Sequence, residues 1–78
     1  MTDTAPSPTT EIAIVINGEP RRVAAGSSIA EMLMRIGFNP KKVAVERNRE
    51  IVPRSTLGDV PLAEGDVLEI VHIVGGGA

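Results

Sequence analysis

The first apolar run of the chain, Ile12 to Ile16, is almost wholly β-branched, and the Asn17–Gly18 pair that follows is a strong short-range hairpin signal. It predicts a strand from Ile12 to Ile16 and a returning strand from about Pro20 to Ala24. The period then changes. Ile29, Met32, Leu33 and Ile36 fall at i, i+3, i+4 and i+7, the stripe of a helix packed on one side. Ser28 and Glu31 have the S-x-x-E spacing of a capping box at its start, and Gly37 stands where a left-handed C-terminal cap is wanted. Beyond the Asn39–Pro40 turn, Val43 to Glu46 reads as a strand, Asn48–Arg49 as a turn, and Glu50 to Val52 as a short return stopped by Pro53. This is read as a tight turn, although Arg49 suits positive φ less well than glycine, which leaves a turn longer than two residues open. Leu57 to Leu62 reads as one irregular turn, after which Glu64–Gly65–Asp66 leads into a last strand from Val67 to Val74. Val and Ile stand on both faces of that strand, which marks it as central, with the helix covering one side.

The predicted order is two hairpins with a helix between them and a final central strand. That order is what a β-grasp requires: an α+β domain with a mixed sheet of four to five strands packed on one main helix. Residues 11–74 form this domain. Met1 to Thr10 lack periodicity and read as a disordered leader, and Gly75 to Ala78 as a flexible tail. At 78 residues the chain makes a single small domain, too small for a deep catalytic cleft. Its hydrophobic content of 42% includes one aromatic, Phe38, so the core is aliphatic. With no cysteine and one histidine, disulfide staples, thiolate metal sites and cysteine nucleophiles are excluded. The net charge of -2 argues against sequence-independent nucleic-acid binding, and the Arg21–Arg22 and Lys41–Lys42 pairs are too short to alter that. No apolar run approaches the roughly 20 residues of a membrane span, and the N-terminus lacks a signal-peptide pattern. The expected location is the cytoplasm.

The last strand is followed by Gly75–Gly76–Gly77–Ala78. Glycines can lie fully extended in a narrow channel and bring an unhindered carboxylate to a reactive centre in another protein, although a terminal glycine run alone is more often simply frayed chain. The surroundings add to this. VAVERNREIVPRS from Val43 to Ser55, GDVLEIVHIVGGG from Gly65 to Gly77, and the early strand with its Asn17–Gly18 turn resemble the thiamine-biosynthesis sulfur carriers, the ThiS family. The resemblance spans Glu11 to Gly77. It implies a ubiquitin-like β-grasp fold and a carrier acted on by partner enzymes. An E1-like adenylyltransferase of the ThiF type would adenylate the terminal glycine carboxylate with its own ATP and magnesium. A persulfide supplied by a cysteine desulfurase would displace AMP, and the resulting thiocarboxylate would donate sulfur to thiazole synthase, the ThiG type. The chain itself binds no cofactor or metal on this reading and is not an enzyme.

The family's tail ends in glycine, whereas here Ala78 follows Gly77. Ala78 is removed, or is tolerated as the reactive end, or marks a paralogue without the carrier role. The expectation carried forward is Gly77 as the thiocarboxylate position after loss of Ala78, with Gly75 and Gly76 threading the partner's channel. Val71 and Ile73, opposite in face to His72, and Arg54 are expected to help dock the partner, while the charged group Glu46, Arg47, Arg49, Glu50 and Arg54 is otherwise a solvated hairpin. His72 reads as a structural or surface residue, Met32 as core and Met34 as partly exposed. No pair of titratable groups shares acid and base roles, and no phosphate loop precedes a helix. The rival readings are the small subunit of molybdopterin synthase, another β-grasp sulfur carrier, a protein modifier attached to lysines, and a noncovalent ubiquitin-like interaction module.

Overall fold

The computed structural model describes residues 10–73. The leader as far as Thr9, and the chain from Val74 through the glycine tail, lie outside the described residues. Five strands and one α-helix follow in order: β1 (Glu11–Ile16), β2 (Glu19–Ala24), α1 (Ile29–Arg35), β3 (Val43–Arg47), β4 (Glu50–Val52) and β5 (Val67–His72). Short 3₁₀ turns at Pro40–Lys42 and Arg54–Thr56 lie before β3 and after β4.

Each element starts and stops where its chemistry directs. Asn17 and Gly18 both take positive φ, 50° and 83°, so β1 and β2 pair in register from Ile16↔Glu19 to Glu11↔Ala24. At the start of α1 the Ser28 hydroxyl accepts the Glu31 N–H at 3.1 Å, and the Glu31 carboxylate accepts the Ser28 N–H at 2.9 Å. The helix stops at Gly37, whose φ of 96° no side chain tolerates easily, and the Phe38 N–H closes back on the Leu33 carbonyl at 2.8 Å. Asn39 caps the first 3₁₀ turn by accepting the Lys41 N–H at 2.9 Å.

The second hairpin has the tight Asn48–Arg49 turn that the sequence reading placed there, and the longer turn that Arg49 left open is not adopted. Arg47 pairs with Glu50, so the turn holds only Asn48 and Arg49, with φ of 52° and 73°. A tertiary anchor overrides the poor preference of Arg49. The Asn48 N–H donates to the Val67 carbonyl at 2.8 Å, and its side-chain oxygen accepts the Val67 N–H at 3.0 Å. Its amide nitrogen also donates to Asp66 at 3.2 Å. The segment expected as one irregular turn is likewise more ordered than its composition indicates. Thr56 bonds back to the Pro53 carbonyl, and Leu57 and Leu62 are both buried. The Leu62 N–H donates to the Ser27 carbonyl at 2.9 Å, which closes the core beneath α1.

The sheet order is β2-β1-β5-β3-β4, with β5 central as anticipated. β1 and β5 run parallel through Val15↔Val67 and Ile16↔Leu68, and the remaining pairs are antiparallel. This is the α+β β-grasp. Ile14 and Ile16 from β1, Val43 and Val45 from β3, and Leu68 and Ile70 from β5 point to the same side, where Ile29, Met32 and Leu33 of α1 meet them. The other side of the sheet has no covering layer among the described residues. No helix among them is long and apolar enough to cross a membrane.

Candidate functional site: the strand outlet and the open sheet face

The glycine tail is rooted in β5, so the geometry that matters first is how that strand is held. On one edge β3 pairs with it from Arg47↔Leu68 to Val43↔His72, and the Ile73 N–H donates to the Lys42 carbonyl at 2.9 Å. On the other edge β1 ends early, and Asn17 takes over. Its N–H donates to the Leu68 carbonyl at 2.9 Å, its side-chain oxygen accepts the Ile70 N–H at 2.7 Å, and its amide donates to the Ile70 carbonyl at 3.3 Å. The asparagine that makes the first turn thus also completes the ladder beside β5. The strand is fixed on both edges close to its exit. Gly75, Gly76, Gly77 and Ala78 lie outside the described residues, and the structure locates their root.

Alternation along β5 sends Leu68 and Ile70 to the core and Val67, Glu69 and Val71 outward. His72 is on the core side at its margin, with its ring 5.2 Å from that of Phe38. That contact fits the structural role read for it. The outward residues form a shallow open groove of about 770 Å³ with Ala44 and Glu46 of β3 and Ile51 of β4, and Asn48 and Arg49 also line it. Ile51 is 68% exposed, Val71 60%, Val67 46% and the neighbouring Ile73 44%. Register makes these positions contiguous rather than scattered, with Ala44 opposite Val71 and Ile51 opposite Glu46.

The expected docking residues divide. Val71 lines the groove and Ile73 follows it at the root of the tail, whereas Arg54 is exposed on the second 3₁₀ turn and is not among the groove residues. The charged group divides as well. Arg47 donates to the Pro61 carbonyl at 3.1 Å and lies 3.7 Å from Asp66, a structural position. Asp66 is buried, and it also accepts the Ala63 N–H at 2.9 Å. Sequence reading missed Ile51 and Val67 as parts of the exposed patch, although the two-residue period of β5 already puts Val67 with Val71. Among the described residues no three histidine, aspartate or glutamate side chains gather in a way that would hold a metal ion.

A family model described as the ThiS family matches residues 3–77. The chain belongs to the ThiS family. The stretch that matches the ThiS family includes Gly75, Gly76 and Gly77 and stops before Ala78. A protein named thiazole synthase from Magnetococcus marinus is 52% identical over 64 residues, which cover 82% of this chain and 20% of that protein. The chain therefore spans about a fifth of the length of the first relatives it matches. A sulfur carrier protein ThiS from Thermus thermophilus is 40% identical over 62 residues, 80% of this chain and 95% of the relative. The crystal structure of a thiamine biosynthesis protein (ThiS) from Geobacter metallireducens superposes with a TM-score of 0.72 at 28% identity, covering 85% of this chain and all of that one. A designed protein built on a ubiquitin template matches at TM-score 0.52 and 14% identity over 87% of this chain and 96% of its own, which places the ThiS fold of this chain among ubiquitin-like folds.

Proposed function

We propose that this chain is a sulfur carrier of thiamine biosynthesis, loaded as a thiocarboxylate on Gly77 and unloaded by thiazole synthase. The observation that carries the reading is the family match running through the glycine run to Gly77, on a fold whose central strand feeds that run. Similarity to sulfur carrier proteins named ThiS supports the loading step, and the stretch shared with proteins named thiazole synthase supports the recipient.

The chemistry follows from the weakness of a carboxylate as an electrophile. An E1-like adenylyltransferase, with ATP and magnesium in its own site, joins the Gly77 carboxylate oxygen to the α-phosphorus of ATP and releases pyrophosphate. The terminal sulfur of a persulfide, supplied by a cysteine desulfurase, then attacks the acyl carbon, and AMP leaves with the oxygen. An acyl disulfide results. A thiol breaks its S–S bond, is itself oxidised to a disulfide, and leaves the thiocarboxylate on Gly77. Residues beyond Gly77 have to be removed first, and Gly75 and Gly76 supply the slender approach to the partner's site. Apart from its own tail this chain contributes no reacting group, so it acts stoichiometrically and not as an enzyme. The cycle belongs in the cytoplasm, where persulfide and ATP are both available.

Intact-protein mass spectrometry tests the proposal. Full-length chain and a version ending at Gly77 are incubated with the adenylyltransferase, ATP, magnesium and a persulfide donor. The version ending at Gly77 is expected to gain the mass of one oxygen exchanged for one sulfur. No gain in that version with a demonstrably active adenylyltransferase would overturn it and favour a noncovalent interaction module.

A further inference from the structure

Glu46 of β3 and Glu69 of β5 face each other directly in the antiparallel register, and both side chains belong to the open groove. Like charges placed directly opposite one another weaken a sheet, and among the described residues no ion pair compensates for this one. Among the described residues the ion pairs are Arg22 with Glu11 and Arg47 with Asp66, so neither Glu46 nor Glu69 is neutralised. Arg49 lines the same groove without pairing with either, which leaves two negative charges against one positive. Around the two carboxylates stand Ile51, Val67 and Val71, the most exposed apolar side chains of the sheet. An acidic pair ringed by exposed aliphatic surface is complementary to a basic side chain whose apolar stem and charged head are buried together.

We propose that Glu46 and Glu69 receive an arginine of thiazole synthase, its guanidinium bridging the two carboxylates while Ile51, Val67 and Val71 pack against its stem. A guanidinium presents five N–H donors in a planar fork, enough to serve two carboxylates at once, which a compact ammonium cannot do with the same geometry. The choice of thiazole synthase rests on the sulfur-carrier reading, on the stretch of this kind within proteins bearing that name, and on continuity with the tail. Val71 is two residues from Ile73, so a protein that takes the tail also meets this face. On this assignment the repulsion in the unbound sheet is relieved on docking, and specificity comes from charge as much as from apolar contact.

The test uses the chain with Glu46→Gln and Glu69→Gln together, and titration calorimetry against the thiazole synthase of the same organism at low and high salt. The double variant is expected to bind about tenfold or more weakly, to lose most of the salt dependence of the unsubstituted chain, and to melt a few °C higher once the repulsion is gone. Thiocarboxylate formation on the chain with Glu46 and Glu69 intact is a separate readout, so failure of this proposal leaves the carrier reading intact. Unchanged affinity for thiazole synthase would overturn the assignment. Loss of adenylation with undiminished thiazole synthase binding would overturn it in favour of the activating partner. A double variant that self-associates in sedimentation while binding thiazole synthase normally would overturn it as well, because the carboxylates would then serve only to keep two copies of the face apart.

Discussion

On the covered side of β5, Leu68 and Ile70 are 0% and 7% exposed, whereas on the open side Val67 and Val71 are 46% and 60% exposed. The residue types are nearly the same, and what differs is the layer opposite. α1 and the loop leucines Leu57 and Leu62 seal one face, and nothing among the described residues covers the other. One strand therefore belongs to two systems. Its inward side sets whether the domain folds, and its outward side sets what the folded domain can meet, with the tail attached to both.

The largest effect that could break this contrast comes from the covered side. Leu68→Ala removes a fully buried side chain and is expected to cost about 2–5 kcal/mol in urea unfolding, much of the margin of a small domain. A cost below about 1 kcal/mol would mean that β5 is not the keystone of the core. Asn17→Ala comes next, at about 1–3 kcal/mol, because it strips the Ile70 N–H and carbonyl of their partners and puts a less tolerant residue at φ 50° in the first turn. Hydrogen exchange is expected to speed up selectively at the Ile70 amide, and uniform acceleration across the sheet would show a general loss of stability instead. The smallest stability change is expected for Val71→Ser on the open side, within about 0.5 kcal/mol. Calorimetry with thiazole synthase should nonetheless register weaker binding, and a fully retained affinity would remove Val71 from the docking face.

The period of the apolar residues was enough to draw most of this architecture. The β-branched run before Asn17, the stripe from Ile29 to Ile36 with its Ser28–Glu31 cap, and the Val and Ile content of β5 gave the element order and the central strand. Where the reading fell short, a long-range bond outweighed a local preference. Arg49 takes positive φ because Asn48 is tied to Val67, a partner 19 residues away that turn statistics do not see. The double duty of Asn17, whose side chain reaches 53 residues ahead to Ile70, was invisible for the same reason. At the site, Val71 was legible from alternation alone. Ile51 was not, because its place on the groove depends on the β3–β4 register and therefore on the turn length.

The parallel pairing of β1 with β5 has a mechanical consequence. β1 begins at one end of the sheet and β5 finishes at the other, so tension applied between Glu11 and His72 slides the two strands lengthwise past each other. Hydrogen bonds loaded in shear share the force, whereas a hairpin pulled from its open end gives way one bond at a time. The side chain of Asn17 adds two further bonds on the same edge of β5, near the point where a pull from the tail would arrive. A load that reached the end of β5 while the start of β1 was held would therefore meet these bonds together rather than one at a time.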